Sequence, residues 1–348
     1  MSDDIDLEEL RASIRDVLDV EASGERVHRH YDSGAAFDTA LAQTVAALGW
    51  TALALPERDG GLELGFGAVA LLYEELGRGP APIPMLPTLL SAEAIAKGGD
   101  DAQRAAWLPP FAGGEQFAAV VLDPPTGLTA QDDRLSGNCG LVADGAGASL
   151  FLVALDDQRA ALIAAGAPGV AIERQPAIDR TRSLALLSLD GAQYESLPID
   201  LDSLRAHASL AVACDSIGGA AAILERTIEY LKVRVQFGRP IGSFQALKHR
   251  IANHQLALEV ARAMVTRVVA LHAGGHGAAG IAALARVNAT ETYAAIADDA
   301  IQLHGGIGFT WEHDCHHYLK RARMNEMLHG NAETLLDRAA IALTGVAA

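Results

Sequence analysis

Apolar residues recur at steps of three and four in three early stretches: Leu7, Leu10, Ile14 and Val17, then Phe37, Leu41, Val45 and Leu48, then Phe66, Val69, Leu72 and Leu76. An α-helix turns once in 3.6 residues, so each set falls on one face and predicts an amphipathic helix. Gly60-Gly61 and the run PAPIP from Pro80 punctuate this segment. Pro80 to Pro87 predicts an ordered connection, with helical periodicity returning from Leu89 to Ile95. Pro109, Pro110, Gly113 and Gly114 mark a boundary, after which the texture changes. Phe117–Leu122, Leu150–Leu155, Gly169–Glu173 and Leu184–Leu189 are short apolar runs separated by Gly, Pro and Asp, the pattern of antiparallel strands.

Near residue 200 the strands give way to long helices. Leu210, Ala213, Ile217, Ala220, Leu224, Ile228, Leu231 and Val235 keep helical spacing, and Phe244, Leu247, Ile251, Leu258, Ala261, Val265 and Val268 resume it. Between them Gly238, Pro240 and Gly242 break the backbone ladder, so two antiparallel helices should meet at a sharp corner. Helices over Ala278–His304 and His316–Leu328 would complete a four-helix bundle. The expected fold is mostly α with a small β domain: 1–114 an N-terminal helical domain, 115–200 a middle β domain, 201–348 a C-terminal four-helix bundle. The corner carries Arg234, Phe237, Arg239 and Gln245. A guanidinium and an aromatic ring beside exposed backbone N–H groups suit a phosphate or diphosphate, while solvated loop arginines are the plainer alternative.

The formal net charge of −17 over 348 residues argues against a nucleic-acid surface, which needs clustered Lys and Arg. Cys139, Cys214 and Cys315 are far apart with no C-x-x-C, indicating neither disulfides nor a zinc knuckle. His313, Asp314, Cys315, His316 and His317 offer metal-ligand chemistry, and His313 and His317 would share a helical face. A single cluster with no second ligand group elsewhere leaves no metal as the expectation. The opening MSDDIDLEEL lacks the basic start and apolar core of a signal peptide, no membrane span is expected, and a reducing cytoplasmic setting fits. Gly305-Gly306-Ile307-Gly308 mimics part of a dinucleotide fingerprint but has no βαβ unit around it.

The pair R-x-x-F-G, Arg234 to Gly238, and Q-x-x-G-G-x-G-F, Gln302 to Phe309, resembles the flavin-dependent acyl-CoA dehydrogenases. The resemblance covers residues 207–330, and 36–90 through LGWTALALPERDGGLELGFGAVALLYEELGR, Leu48 to Arg78. It implies that family's fold, an FAD cofactor, an acyl-CoA substrate and an electron-transfer flavoprotein as electron acceptor. It also implies nucleotide-binding roles for Arg234, Phe237, Gln245, Gln302, Gly305 and Gly306. In the family a flavin takes hydride from the β-carbon while a glutamate removes the α-proton. That glutamate's usual place reads Leu328-His329-Gly330 here, and the alternative place on the long helix holds Ala208. The family's flavin-ring loop is replaced by VVLDPPTGLTAQDDRLSG, Val120 to Gly137, where Thr126 or Thr129 could approach a ligand but a β turn stripped of its flavin contacts is the plainer reading. The catalytic residue is therefore unassigned.

The chain keeps what a family member gives to its neighbour and lacks what it needs for itself. With W-E-H-D at Trp311–Asp314 and LHGN at Leu328–Asn331, it resembles the short non-catalytic subunits of heteromeric, steroid-type acyl-CoA dehydrogenases. The expected partner is then a second acyl-CoA dehydrogenase subunit. Two alternatives stay open: a self-sufficient homo-oligomer with His329 as its base, and a non-enzymatic acyl-CoA-binding or scaffold protein.

Overall fold

The computed structural model describes residues 7–276 and 278–345; the acidic opening, residues 1–6, lies outside them. Six helices come first: α1 (Leu7–Glu21), α2 (Gly24–Ser33), α3 (Thr39–Ala47), α4 (Gly65–Arg78), α5 (Met85–Gly98) and α6 (Asp101–Ala112). Eight strands follow: β1 (Ala118–Val121), β2 (Thr129–Gln131), β3 (Arg134–Ala143), β4 (Leu150–Ala154), β5 (Arg159–Ala164), β6 (Val170–Gln175), β7 (Leu184–Gln193) and β8 (Glu195–Pro198). Then come α7 (Leu201–Val233), the two-residue strands β9 (Val235–Gln236) and β10 (Arg239–Pro240), and α8 (Gln245–Ala273). The last helices are α9 (Ala279–His304), α10 (Cys315–Asn325) and α11 (Ala332–Thr344). The mostly helical chain with a small sheet region is thus as expected. It forms two compact units, one built from Glu25–Val69 and Pro82–Ala208, the other from Glu8–Gly24, Ala70–Ala81 and Ser209 onward.

In the first unit the strands form two four-stranded sheets, ordered β1-β4-β5-β8 and β2-β3-β7-β6. Ala119, Phe151, Val153 and Ile163 of one sheet share a core with Leu135, Val142, Leu187 and Leu189 of the other. The alternate residues Ala118, Val120, Leu150 and Leu152 pack with Leu90 and Ile95 of α5 and Leu108 and Phe111 of α6. β4 is buried on both faces, which is why it reads as an unbroken apolar run. The expectation of purely antiparallel pairing fails at β1, which runs parallel to β4 because β2 and β3 leave for the other sheet between them. β3 escaped the pattern because its register shifts around Gly137 and Gly140, as bulges do. α6 was also missed, and Pro109 and Pro110 fall inside it. Its start was readable as a capping box, with Asp100 accepting from the Gln103 N–H (2.8 Å) and Gln103 Oε1 accepting from the Asp100 N–H (3.2 Å).

The second unit is organised around α7. Every residue from Ala206 to Leu224 is buried, so the expected single apolar stripe is instead a helix enclosed on all sides. By length and composition α7 could cross a membrane, but its apolar window lies wholly inside the fold. Gly77 of α4 touches α7 at the Asp215 carbonyl, and Gly218 touches α4 at the Glu74 carbonyl; a methyl at either glycine would overlap that oxygen. Asp215 pairs with the buried Arg321 of α10 (Nε to Oδ1, 3.0 Å) and accepts from Asn325 Nδ2 (2.7 Å), which also reaches Ser216 Oγ (3.0 Å). Glu75, also buried, takes Arg11 (3.1 Å) and both arms of Arg15 (2.9 and 2.8 Å). α9 packs against α8, α10 and α11. In α8 the predicted stripe holds only from Leu258 onward: Leu247 and Ile251 are half-buried, and Leu256 and Val260 face outward.

One charged pair of the first unit sets an acid limit. His207 is buried with Nδ1 against a Glu93 carboxylate oxygen, Lys97 holds the other oxygen, and the Phe66 ring meets the imidazole edge-on at 4.9 Å. Burial alone would raise the Glu93 carboxyl, but the charge and hydrogen bond of His207, with Lys97, hold it well below the usual carboxylate range. A carboxyl depressed on folding contributes stability that is complete above its unfolded value, about pH 4.3, and lost as pH falls towards the folded value. Glu93→Gln is expected to lower stability at pH 7 and to flatten the decline below about pH 4.3. Unfolding midpoints across a pH series measure this; parallel curves for the two proteins would contradict it.

Candidate nucleotide-binding site

The corner between α7 and α8 is a small β-hairpin. Val235 and Gln236 pair antiparallel with Pro240 and Arg239, and the Ile241 N–H donates to the Arg234 carbonyl at 2.8 Å. The two tip residues, Phe237 (φ 55°) and Gly238 (φ 77°), both lie at positive φ, as a tight primed turn demands. Glycine takes that conformation freely; a phenylalanine there costs on the order of 1–3 kcal/mol. The strained ring is 91 % exposed. Its edge meets Phe244 (6.1 Å between centroids), over which the Arg239 guanidinium lies at 4.0 Å. Arg239 is therefore held by a cation–π contact. Arg234 is exposed, and its side chain has no hydrogen-bonding or charged partner among the described residues. Val235, expected to close the buried stripe of α7, is 53 % exposed because the helix ends two residues earlier.

The second motif lies where α9 stops. Gln302, Gly305 and Gly306 are exposed, and nothing would meet a Cβ at either glycine. Gly305 takes φ 66°, ψ −144°, a conformation closed to other residues, and turns the chain out of the helix. The turn then folds back onto α9, because a Cβ on Gly308 would crowd the Ile301 carbonyl and His304. His304 joins the two motifs: its imidazole stacks on Tyr230 (4.5 Å, 26° between planes), and its carbonyl accepts from the Tyr230 hydroxyl at 3.2 Å. Arg234 lies one helical turn beyond Tyr230. Gln245, also exposed, opens α8 on the far side of the hairpin. The pattern analysis missed Tyr230 and His304. Tyr230 stands beside the first motif and His304 fills a variable position of the second, but only the packing of α7 on α9 pairs them.

This donor set suits the anionic and adenine end of a nucleotide: a free guanidinium, amide side chains, an exposed ring and bare glycine backbone. In the first unit, the two threonines that could approach a flavin ring are placed differently. The Thr129 hydroxyl is spent on the Ser136 carbonyl (3.3 Å), and Thr126 sits exposed in a turn. Neither place expected of a base carries a carboxylate. Ala208 is buried, and His329 is half-buried at φ 52°. The His329 turn is fixed from beneath by Arg286, a guanidinium 1 % exposed, which donates to the carbonyls of Asn325, Leu328 and Gly330. Glu225 and Glu229 are paired with Arg78 and Lys232, and Glu259 accepts from Gln255.

The histidine-rich segment rearranges relative to expectation. α10 begins at Cys315, so His313 and His317 do not share its face. His304, His313 and Cys315 bring possible ligand atoms within 4.8 Å of one another, and each is engaged in hydrogen bonds within the chain. His313 Nδ1 accepts from the Cys315 N–H (3.2 Å), which leaves its proton on Nε2. His304 Nδ1 donates to the Ala300 carbonyl (2.8 Å), and burial pushes the Cys315 thiol up to about 12. Burial also lowers His304 and His313 below the ordinary histidine range.

Two sheets between helical segments, with an R-x-x-F-G corner and a G-G turn at adjacent helix ends, are the architecture of the acyl-CoA-oxidising flavoproteins. The chain belongs to the acyl-CoA dehydrogenase family: residues 5–115 match the N-terminal domain of that family and 204–344 its C-terminal domain. Acyl-CoA dehydrogenase IpdE2 of Mycobacterium tuberculosis is 36 % identical over 329 residues, 94 % of this chain and 92 % of that protein. Among solved structures, a variant of the Tcur3481-Tcur3483 steroid ACAD superposes with a TM-score of 0.91 at 31 % identity, covering 97 % of this chain and 98 % of that one. The ChsE4-ChsE5 complex from Mycobacterium tuberculosis gives 0.90 at 26 % identity, covering 100 % and 99 %. Family neighbours bind FAD.

Arg286→Met keeps the length of the side chain but leaves three carbonyls, those of Asn325 and Leu328 buried and that of Gly330 half-buried, without their donor. A loss of about 3 kcal/mol in unfolding free energy is expected, read from denaturant midpoints. An unchanged midpoint would mean that the His329 turn is held by other contacts.

Proposed function

We propose that this chain is the partner subunit of a heteromeric acyl-CoA dehydrogenase. Its corner and its G-G turn cover the diphosphate and adenosine of an FAD whose ring is held by a second acyl-CoA dehydrogenase chain. Arg234, Phe237, Gln245, Gln302, Gly305 and Gly306 form that surface. The observation that carries this reading is an asymmetry: an exposed Arg234 without a partner among the described residues, beside a strained exposed Phe237, in a chain with no carboxylate at position 329 or 208. Phenylalanine at positive φ is disfavoured unless something it contacts compensates, and a nucleotide is such a contact.

In α,β-desaturation of an acyl-CoA, bound FAD accepts the hydride from the β-carbon. In this reading the base that takes the α-proton belongs to the partner, and this chain's residues bind and orient the cofactor. Steroid-type acyl groups are favoured, because the solved structures similar to this chain include a steroid ACAD named for two components. An electron-transfer flavoprotein would accept the electrons, in a cytoplasmic setting. The division at residues 114 and 200 into helical, β and bundle domains belongs to the same proposal.

Arg234→Ala in the assembled complex should weaken FAD about tenfold to over a hundredfold, the loss of one charge-assisted hydrogen bond of ~1.5–3 kcal/mol. Flavin retained after dialysis, with subunit mass as a control for assembly, measures it; full retention in an intact complex would make the corner purely structural. His329→Ala tests the homo-oligomeric alternative. Turnover should change little, whereas removal of a general base would lower it by ~10²–10⁴.

A further inference from the structure

We infer that Tyr230 and His304 form a brace that sets the R-x-x-F-G corner against the G-G turn, making Tyr230 the positioning residue of the nucleotide surface. The inference rests on the nucleotide reading of the corner. Both motifs stand in solvent: Arg234 through Pro240 are exposed, as are Gly305 and Gly306. Neither holds the other directly in any described contact. What lies between them is a half-buried tyrosine and a buried histidine.

Tyr230 serves both motifs at once. Its carbonyl accepts from the Arg234 N–H at 2.9 Å, the last helical bond before the hairpin. Its hydroxyl donates to the His304 carbonyl at 3.2 Å. The final carbonyls of a helix have no partner within it, and His304 is the last residue of α9. The peptide group that Tyr230 holds joins His304 to Gly305, so the hydroxyl fixes the plane from which the G-G turn departs. The ring stacking adds a second restraint, and Gly308 closes the turn back onto the same histidine. A nucleotide spanning both motifs needs their spacing set before it arrives, because freedom left in the surface is lost on binding and weakens affinity.

The brace is also sensitive to protonation. The imidazole donates from Nδ1 to the Ala300 carbonyl and faces Tyr230 from α7, the His313 ring (4.6 Å between centroids) and the Cys315 sulfur, 3.4 Å from Nδ1. Behind His313, Asp314 is paired with Arg226 (2.6 Å). None of the groups facing the ring is an unpaired carboxylate that would welcome a charge, and burial lowers the His304 pKa. The neutral ring is the stacked form. Protonation, which sets in below the ordinary histidine value of about 6.5, loosens it.

The test uses the complex of this chain with its flavin-holding partner, stripped of flavin and titrated with FAD while flavin fluorescence is followed from pH 5 to 8. Tyr230→Phe keeps the stack and removes only the hydroxyl, so it should fold and assemble. It is expected to weaken FAD about three- to tenfold at pH 7.5, the loss of one neutral hydrogen bond. Native complex should lose affinity below about pH 6.5, and His304→Gln should remove that step, which a merely structural histidine would not do. Unchanged affinity in Tyr230→Phe, where Arg234→Ala weakens FAD, overturns the brace and leaves the corner's nucleotide role standing. Unchanged affinity in both variants overturns the nucleotide reading and the brace with it. A pH step that persists in His304→Gln overturns the protonation account.

Discussion

The enclosure of α7 is the constraint on which the second unit depends. A helix buried on all sides cannot use a polar face to set its rotation, so its orientation must come from small residues and from the few polar groups it carries inside. Gly218, with Gly77 facing it from α4, allows backbone contact that any side chain would prevent. Asp215 and Ser216 supply the polar lock, because a buried carboxylate is tolerable only when paired, and Arg321 and Asn325 pair it at a single rotation of the helix.

A helix fixed in this way delivers its end to a fixed place. The packing stops near Leu231, and the hairpin beyond it carries an exposed phenylalanine at positive φ and an arginine whose side chain has no partner among the described residues. That contrast fits a surface completed by something outside the chain. The aromatic and the charge are held ready on a rigid support, while the Thr129 hydroxyl of the first unit is engaged within its sheet. The same logic applies at His329, where a buried arginine fixes a turn that carries no carboxylate.

Much of this was legible because helix periodicity and the two glycine-bearing motifs are local. The long helices, the break at Gly238 and the end of α9 at Gly305 all follow from spacing within a few residues. What was not legible is what distance in sequence hides. The enclosure of α7 looks like one apolar stripe until its alanines and glycines meet other helices. The parallel pairing of β1 with β4 depends on where β2 and β3 go. Tyr230 and His304 lie 74 positions apart, whereas the residues of each motif are close neighbours in sequence. Leu247 and Ile251 of α8 show the opposite failure, since their periodic apolar spacing leaves them only half-buried within the chain.

The central claim is that this chain contributes half of a flavin site and cannot hold the cofactor alone. Flavin-to-chain stoichiometry tests it most directly, measured by native mass and flavin absorbance on the chain produced by itself and on the chain produced with its acyl-CoA dehydrogenase partner. The account predicts colourless protein alone and, with the partner, a complex in which FAD accompanies one copy of each chain. Yellow protein from this chain alone, carrying one FAD per chain, would contradict it.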